Sequence, residues 1–207
     1  PKVEKQKEEE SKIKQSYVMK RDTIQNRLKK IEEEEERMKE ELKQLSEDAS
    51  LIRTKKNDAK VKVDLAKGKV NSLTSPAMNT LLTFVDNPPP VFKYVMDLFC
   101  SMMNQPISYG KKLFKDENLI STISKKIDPQ SMEKTTLERA YSVSSRNKYD
   151  SREANNVCPA LSAFYEWSNA LYYLCYVTYE LNSTESLYED KKTAFNQFFD
   201  GIEMEKN

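Results

Sequence analysis

FVDNPPPVFKYVMDLFCSMM, residues 84–103, is the stretch whose reading decides the fold. Pro88, Pro89 and Pro90 cannot lie inside a helix, because each lacks an amide donor and its ring clashes with the preceding turn. They can end one element and preset the backbone that starts the next. A helix is therefore expected to begin near Pro89 or Pro90. Its apolar positions, Val91, Tyr94, Val95, Leu98, Phe99 and Met102, recur at spacings of three and four, which puts them on one face that must be buried.

Upstream, a 4,3 alternation runs from Ile24 through Leu28, Ile31, Glu35, Met38, Leu42, Leu45, Ala49, Ile52, Lys56, Ala59, Val63, Ala66, Val70 and Leu73. Nothing before Pro76 breaks a helix, so a heptad coiled-coil helix of about 70 residues is expected, roughly 105 Å long. Glu35 and Lys56 interrupt its seam. The run Glu32–Glu36 reads as a solvated helix face in preference to an acidic binding site. Leu51 lies beside Ile52, and Val61 and Leu65 form a second apolar row next to Ala59, Val63 and Ala66. Two rows allow a partner to pack in more than one register; a wide stripe packed on more than one helix fits the periodicity slightly better.

Ser75 can then cap, and Pro76 can open, a short helix over Pro76–Phe84 with Met78, Leu81, Leu82 and Phe84 inward, closed by Asp86 and Asn87. Downstream of Met103, Asn104-Gln105-Pro106 is a turn. Tyr109–Phe114 reads as a short basic helix and Glu117–Ile127 as another, burying Leu119, Ile120 and Ile123. Ser131–Tyr141 follows Pro129, with Met132, Leu137 and Ala140 inward. SVSSRNKYD, residues 142–150, is a polar linker. The last helix starts near Ser151 and runs to the end, kinked or restarted at Pro159. Its seam is Trp167, Ala170, Leu174, Val177, Leu181, Thr184, Tyr188, Lys191, Phe195, Phe198 and Ile202, a second coiled-coil strand.

The 207 residues include 34 Lys+Arg, 33 Asp+Glu and only three glycines. That balance suits an all-α protein with much exposed coiled coil. The charge is unevenly spread: net +4 over 1–72, +1 over 73–167 and −4 over 168–207. Opposite signs at the two ends suit two antiparallel strands of one coiled coil. Cys100, Cys158 and Cys175 are odd in number and set among apolar residues, as buried thiols in a reducing compartment would be. With no histidine and no CxxC pair, neither a zinc site nor a histidine-dependent nucleophile is expected. Gly68, Gly110 and Gly201 are isolated, so there is no phosphate-binding loop. No enzymatic activity and no cofactor are expected of this chain. No apolar run approaches a membrane span and the charged N-terminus is no signal peptide, so a soluble intracellular protein without a membrane partner is expected. A head with net charge +1 and no extended basic stripe disfavours nucleic acid.

The expected fold is all-α: an antiparallel two-helix coiled-coil stalk capped by a small globular bundle of short helices. Residues 1–73 form the first stalk helix, 74–167 the head and 168–207 the second stalk helix. The first strand outruns the second, leaving residues 1–32 to overhang or to pair elsewhere. The hairpin predicts a monomer; the rival topology is a parallel homodimer through residues 24–73.

NPPPVFKYVMDLFCSMM, preceded by a long heptad helix and a proline-opened short helix, resembles the stalk and microtubule-binding domain of dynein heavy chains. That family has an Asn-Pro-Pro-Pro turn and then an apolar helix with a Val-Met pair and a cysteine, here Val91–Cys100. YGKKLFKDENLISTI, Tyr109–Ile123, is similar to the family's aromatic-led basic segment, with Tyr109 where tryptophan is usual and Leu119 where phenylalanine is usual. CPALSAFYEWSNALYYLCYV, Cys158–Val177, resembles its tryptophan segment, with Trp167 in the tryptophan position and Tyr173 near its tyrosine. The likeness spans roughly Leu73–Leu181 in order and spacing. Two departures bear on binding. The helix before the triproline carries Asn79, Thr80 and Thr83 where the family has basic residues, and Asn156, Cys158 and Pro159 replace a basic residue, a serine and a charged residue.

The resemblance implies a tip that binds tubulin reversibly, with affinity coupled to the register of a stalk set by a distant ATPase ring. It places the protein in the cytoplasm and cytoskeleton, or in the axoneme of a cilium or flagellum. An acidic track calls for clustered bases. The candidates for microtubule binding are Lys111, Lys112, Lys115, Arg146, Lys148, Arg152 and Asn156, with Asn79 and Thr83 at the positions the family uses. Lys125 and Lys126 are expected to face elsewhere. Leu51, Ile52, Val61, Val63 and Leu65 are the candidate register-switch seam, and Pro76, Pro88, Pro89, Pro90 and Trp167 the structural joint. The alternative is a structural coiled-coil adaptor whose head binds another protein through Tyr165, Tyr172, Tyr173 and Tyr176.

Overall fold

A computed structural model of the chain describes residues 2–206, with the side chains of 205 and 206 left aside. The regular structure of the described residues is all helical, without strands. In order they are α1 (Lys2–Asn71), α2 (Ser75–Leu82), α3 (Pro90–Met102), a 3-10 turn (Ile107–Tyr109), α4 (Gly110–Phe114), α5 (Leu119–Lys126), α6 (Lys134–Ser144), α7 (Ser151–Val157) and α8 (Pro159–Lys206). They group into two compact units, residues 1–47 with 185–207, and residues 48–184.

In the first unit every side chain of residues 2–30 is exposed. Ile31, Glu35, Met38, Leu42 and Leu45 are half-buried, and so are Tyr188, Phe195, Phe198 and Ile202 of α8. From Ile31 onward the expected seam is thus the less exposed face, whereas its first members, Ile24 and Leu28, are exposed along with the rest of residues 2–30. Lys191 Nζ donates to Glu41 Oε2 at 3.1 Å, so the lysine that interrupts the α8 seam lies at its edge, exposed and paired. Within the acidic run, Glu34 pairs with Arg37, and Glu35 with Lys39 at 2.5 Å. These are pairs along one helix face, as a solvated surface requires.

In the second unit Ala49 and Ile52 of α1 meet Leu181 of α8 in a small apolar cluster. Ala59, Val63, Ala66 and Val70 continue the same face into the main core. The neighbouring row stays in solvent, with Leu51 58%, Val61 58% and Leu65 66% exposed. The buried stripe is therefore narrow, one seam wide, and the expectation of a wide stripe gives way. Small side chains at 59 and 66 let a packed neighbour approach closely, which larger ones on the same face would prevent.

Thr74, not Ser75, caps α2: its side chain accepts from the Ala77 N–H at 3.3 Å, and Pro76 falls at the second helical position. The helix ends at Leu82 rather than Phe84, and Val85 plugs the turn before the triproline at 0% exposure. Pro89 is the N-cap of α3 and Pro90 its first residue, with the Lys93 N–H bonded to the Pro89 carbonyl at 2.9 Å. α3 is buried on nearly all sides, not on one face as its spacing suggested. Phe92, Met96 and Cys100 are as inaccessible as the expected row, and past the exposed first residue, Pro90, only Lys93 is exposed, with Asp97 half-buried. A helix apolar on all sides is a central strut.

Around α3 the aromatic side chains interlock. Phe114 meets Phe92 edge-on at 5.0 Å and Phe164 at 5.3 Å, and Trp167 meets Phe99 at 5.5 Å. Such contacts add roughly 0.5–1.5 kcal/mol each beyond the area buried. α4 lies so close to α3 that a Cβ on Gly110 would stand 2.9 Å from that of Met96, which accounts for glycine there. Asn104 closes α3 in the left-handed region at φ 54°. Its N–H reaches the Ser101 carbonyl, and the Gln105 N–H reaches the Cys100 carbonyl at 2.8 Å. α8 restarts at Pro159 after a one-residue break at Cys158. α6 begins at Lys134 and runs to Ser144, so Met132 precedes it and the linker is shorter than expected.

Candidate functional site

Two basic segments, α4 and the loop leading into α7, pack on the α3 strut. Their bases are held in different ways. Lys111 Nζ donates to the Asp86 carbonyl and Lys115 Nζ to Asp86 Oδ1, both at 2.6 Å. The hydrogen bond and charge of Lys115 hold the Asp86 carboxyl below its ordinary pKa. Asp86 therefore fastens α4 to the turn before the triproline, and two of the three lysines expected to meet a track already serve an internal carboxylate and carbonyl. Lys112 points elsewhere, over the Tyr109 ring at 6.0 Å.

The α6–α7 loop is stitched to α8. Asn147 Nδ2 donates to the Tyr165 hydroxyl at 2.8 Å, and that hydroxyl donates to the Tyr149 carbonyl at 2.5 Å. Asp150 caps α7, accepting from the Glu153 N–H at 2.9 Å while the Glu153 carboxylate accepts from the Asp150 N–H. The backbone bond from Glu153 lowers the Asp150 pKa. This scaffold presents Arg146, Lys148 and Arg152. Arg146 is exposed, Lys148 sits 5.9 Å over Tyr149, and Arg152, 91% exposed, touches Asp150 at 3.3 Å. Asn156 is exposed one turn further along α7. Arg139 is different in kind: it donates to Asn104 Oδ1 at 2.5 Å and to the Gln105 carbonyl at 3.3 Å, bracing the end of α3.

α7 is tied to the end of α1 through one carboxylate. Lys69 Nζ donates to Glu166 Oε2 at 2.5 Å, Ser151 Oγ donates to Glu166 Oε1 at 3.0 Å, and Ser162 Oγ lies 2.8 Å from Ser151 Oγ. Three elements thus meet at Glu166, a residue whose role no local pattern signals.

Asn79 on α2 and Thr83, its C-cap, are exposed. The hydroxyls of Thr80 and Thr83 donate back to the Pro76 and Thr80 carbonyls. Asn79 lines a groove of about 670 Å³ with Met78, Leu82, Leu119 and Ile120. The joint residues divide by burial: Trp167 is 1% exposed, Pro88 and Pro89 are half-buried, and Pro76 and Pro90 are exposed. In the seam, Ile52 and Val63 are buried while Leu51, Val61 and Leu65 are exposed. Tyr165 is buried and bonded, so the tyrosine surface reduces to half-buried Tyr172 with exposed Tyr173 and Tyr176.

Lys126 does not face away from the basic helix. Its Nζ lies 5.4 Å from the same Tyr109 ring that Lys112 covers. Cys100, Cys158 and Cys175 are free and buried, and burial pushes the thiols of Cys100 and Cys175 up to about 12. Among the described residues there is no cluster of metal-ligating side chains, and no helix is long and apolar enough to cross a membrane. No protein-family model matches the chain, and neither does any curated protein.

Proposed function

We propose that this chain is the microtubule-binding tip and stalk of a dynein motor, which grips tubulin reversibly and carries no nucleotide site of its own. The two long helices pair as an antiparallel coiled coil, and ATP hydrolysis belongs to a motor ring elsewhere in the parent protein. Sequence resemblance over roughly Leu73–Leu181 names the track. The observation that carries the proposal is the α6–α7 segment, where Arg146, Lys148 and Arg152 project from a loop and helix fixed by a capping box and by the Tyr165 bonds. Bases held ready on a rigid scaffold suit an acidic polymer surface, because little ordering entropy is lost on binding. Asn79 and Thr83 supply only neutral contacts, so α2 contributes less than in the family, and the charge falls on α7 and α4.

Affinity follows stalk register. The buried row through Ile52 and Val63 and the exposed row through Leu51, Val61 and Leu65 are the two faces that a half-heptad slide would exchange. Charge reversal of Arg146, Lys148 and Arg152 together is expected to weaken microtubule cosedimentation by about tenfold, on the basis of roughly 0.2–1 kcal/mol per exposed pair summed over three. Unchanged cosedimentation by a folded triple variant would sink the proposal. The exposure of Tyr173 and Tyr176 favours a second reading, a protein-binding adaptor, for which the same variant binds its partner undiminished.

A further inference from the structure

Tyr109 lies half-buried at the junction of the 3-10 turn and α4, and two ammonium groups converge on it. Lys112 Nζ, from the last turn of α4, is 6.0 Å from the ring centroid, and Lys126 Nζ, from the last residue of α5, is 5.4 Å. Both ammonium groups are exposed and lie within cation–π range of this one ring. Neither lysine forms a salt bridge among the described residues, in contrast to Lys115, whose ammonium is neutralised by Asp86. The nearby Asp116 carboxylate feels Lys126 but is occupied by the Asn118 N–H at 2.8 Å and the Thr122 hydroxyl at 2.6 Å. Lys125 adds a third exposed ammonium beside Lys126.

We infer that Lys112, Lys126 and Tyr109 form a docking site for an acidic peptide segment, separate from the α7 bases, with Lys125 at its edge. The assignment rests on the reading of the head as a module for an acidic partner and names the part of that partner it takes. Charge complementarity selects the occupant: paired carboxylates supply what two unpaired ammonium groups lack, and the tyrosine offers an apolar surface to side-chain methylenes. A peptide fits better than nucleic acid. The patch is short and bordered by the Asp116 carboxylate near Lys126, whereas a phosphate backbone requires a continuous basic track.

The test titrates the isotope-labelled chain with a synthetic ten-residue polyglutamate peptide at low salt and follows amide shifts. Shifts centred on Tyr109, Lys112 and Lys126, absent with polyglutamine, are expected. Lys112→Gln with Lys126→Gln should weaken the affinity about tenfold, since each exposed pair contributes modestly. Both lysines are exposed, so the variant keeps its fold, checked by circular dichroism. Undiminished binding by that variant, shifts centred on Arg146–Arg152 instead, or equal affinity for a DNA duplex of the same charge would each overturn the site. Because no microtubule enters this titration, loss of track binding with peptide binding intact would count against the motor assignment alone.

Discussion

Asn104 shows how one residue fixes the geometry of the head. It is the one non-glycine residue at positive φ among the described residues, and it both ends α3 and receives Arg139. Asn104→Ala keeps neither the backbone preference nor the side-chain bond, so a loss of about 1–2 kcal/mol in urea unfolding is expected. Asn104→Gly forfeits only the Arg139 bond and should lie closer to the parent. Buried thiols make a second prediction at this scale. Cys100 and Cys175 hold their protons to about 12, against an ordinary thiol value of 9.0. Burial likewise raises Tyr94. Between those limits the unfolded chain releases protons that the folded chain keeps, so the unfolded state binds fewer and stability falls as pH rises. The urea midpoint should drop between about pH 8 and about pH 10.5, and Cys175→Ala should lessen the drop. A midpoint that holds steady over that range contradicts the burial of these groups.

At the level of elements, Asp86 and Glu166 decide what the basic segments can do. Asp86 engages both Lys111 and Lys115, and its pair with Lys115 is exposed and therefore screened by solvent. Asp86→Asn should therefore leave the melting temperature nearly unchanged while freeing Lys115 for an acidic surface, raising microtubule affinity in cosedimentation; weaker binding would show that the clamp, not the free ammonium, matters. Glu166 joins Lys69 of α1 to Ser151 of α7 and so seats the helix that carries Arg152. Neither role is legible in the sequence. Asp86 lies 25 and 29 residues from its lysines, and Lys69 lies 97 from Glu166, distances at which only the folded chain sets partners. By contrast, the seam from Ile31 to Val70 is legible residue by residue, whereas Leu73 lies past the end of the helix. Helix periodicity alone decides which side chains share a face, and burial follows it even at Glu35 and Lys56, both half-buried. The triproline start of α3 is legible for the same local reason, whereas the burial of α3 on all sides depends on how many helices surround it.

For the whole molecule, the proposed function is an electrostatic grip by a helical head, with affinity proposed to follow the pairing of the two long helices. The first unit keeps residues 2–30 in solvent, and the second buries its aromatic core about α3, so the bases stand on the better-packed unit. An electrostatic grip has a signature that no adaptor built on exposed tyrosines shares, because screening shortens the reach of surface charge from roughly 30 Å at 0.01 M salt to roughly 10 Å at 0.1 M. The most direct test is therefore cosedimentation of the unmodified chain with microtubules across that range of salt. The account predicts saturable binding at low salt that weakens steadily as salt rises. Absence of binding at the lowest salt, or binding indifferent to salt, would contradict it.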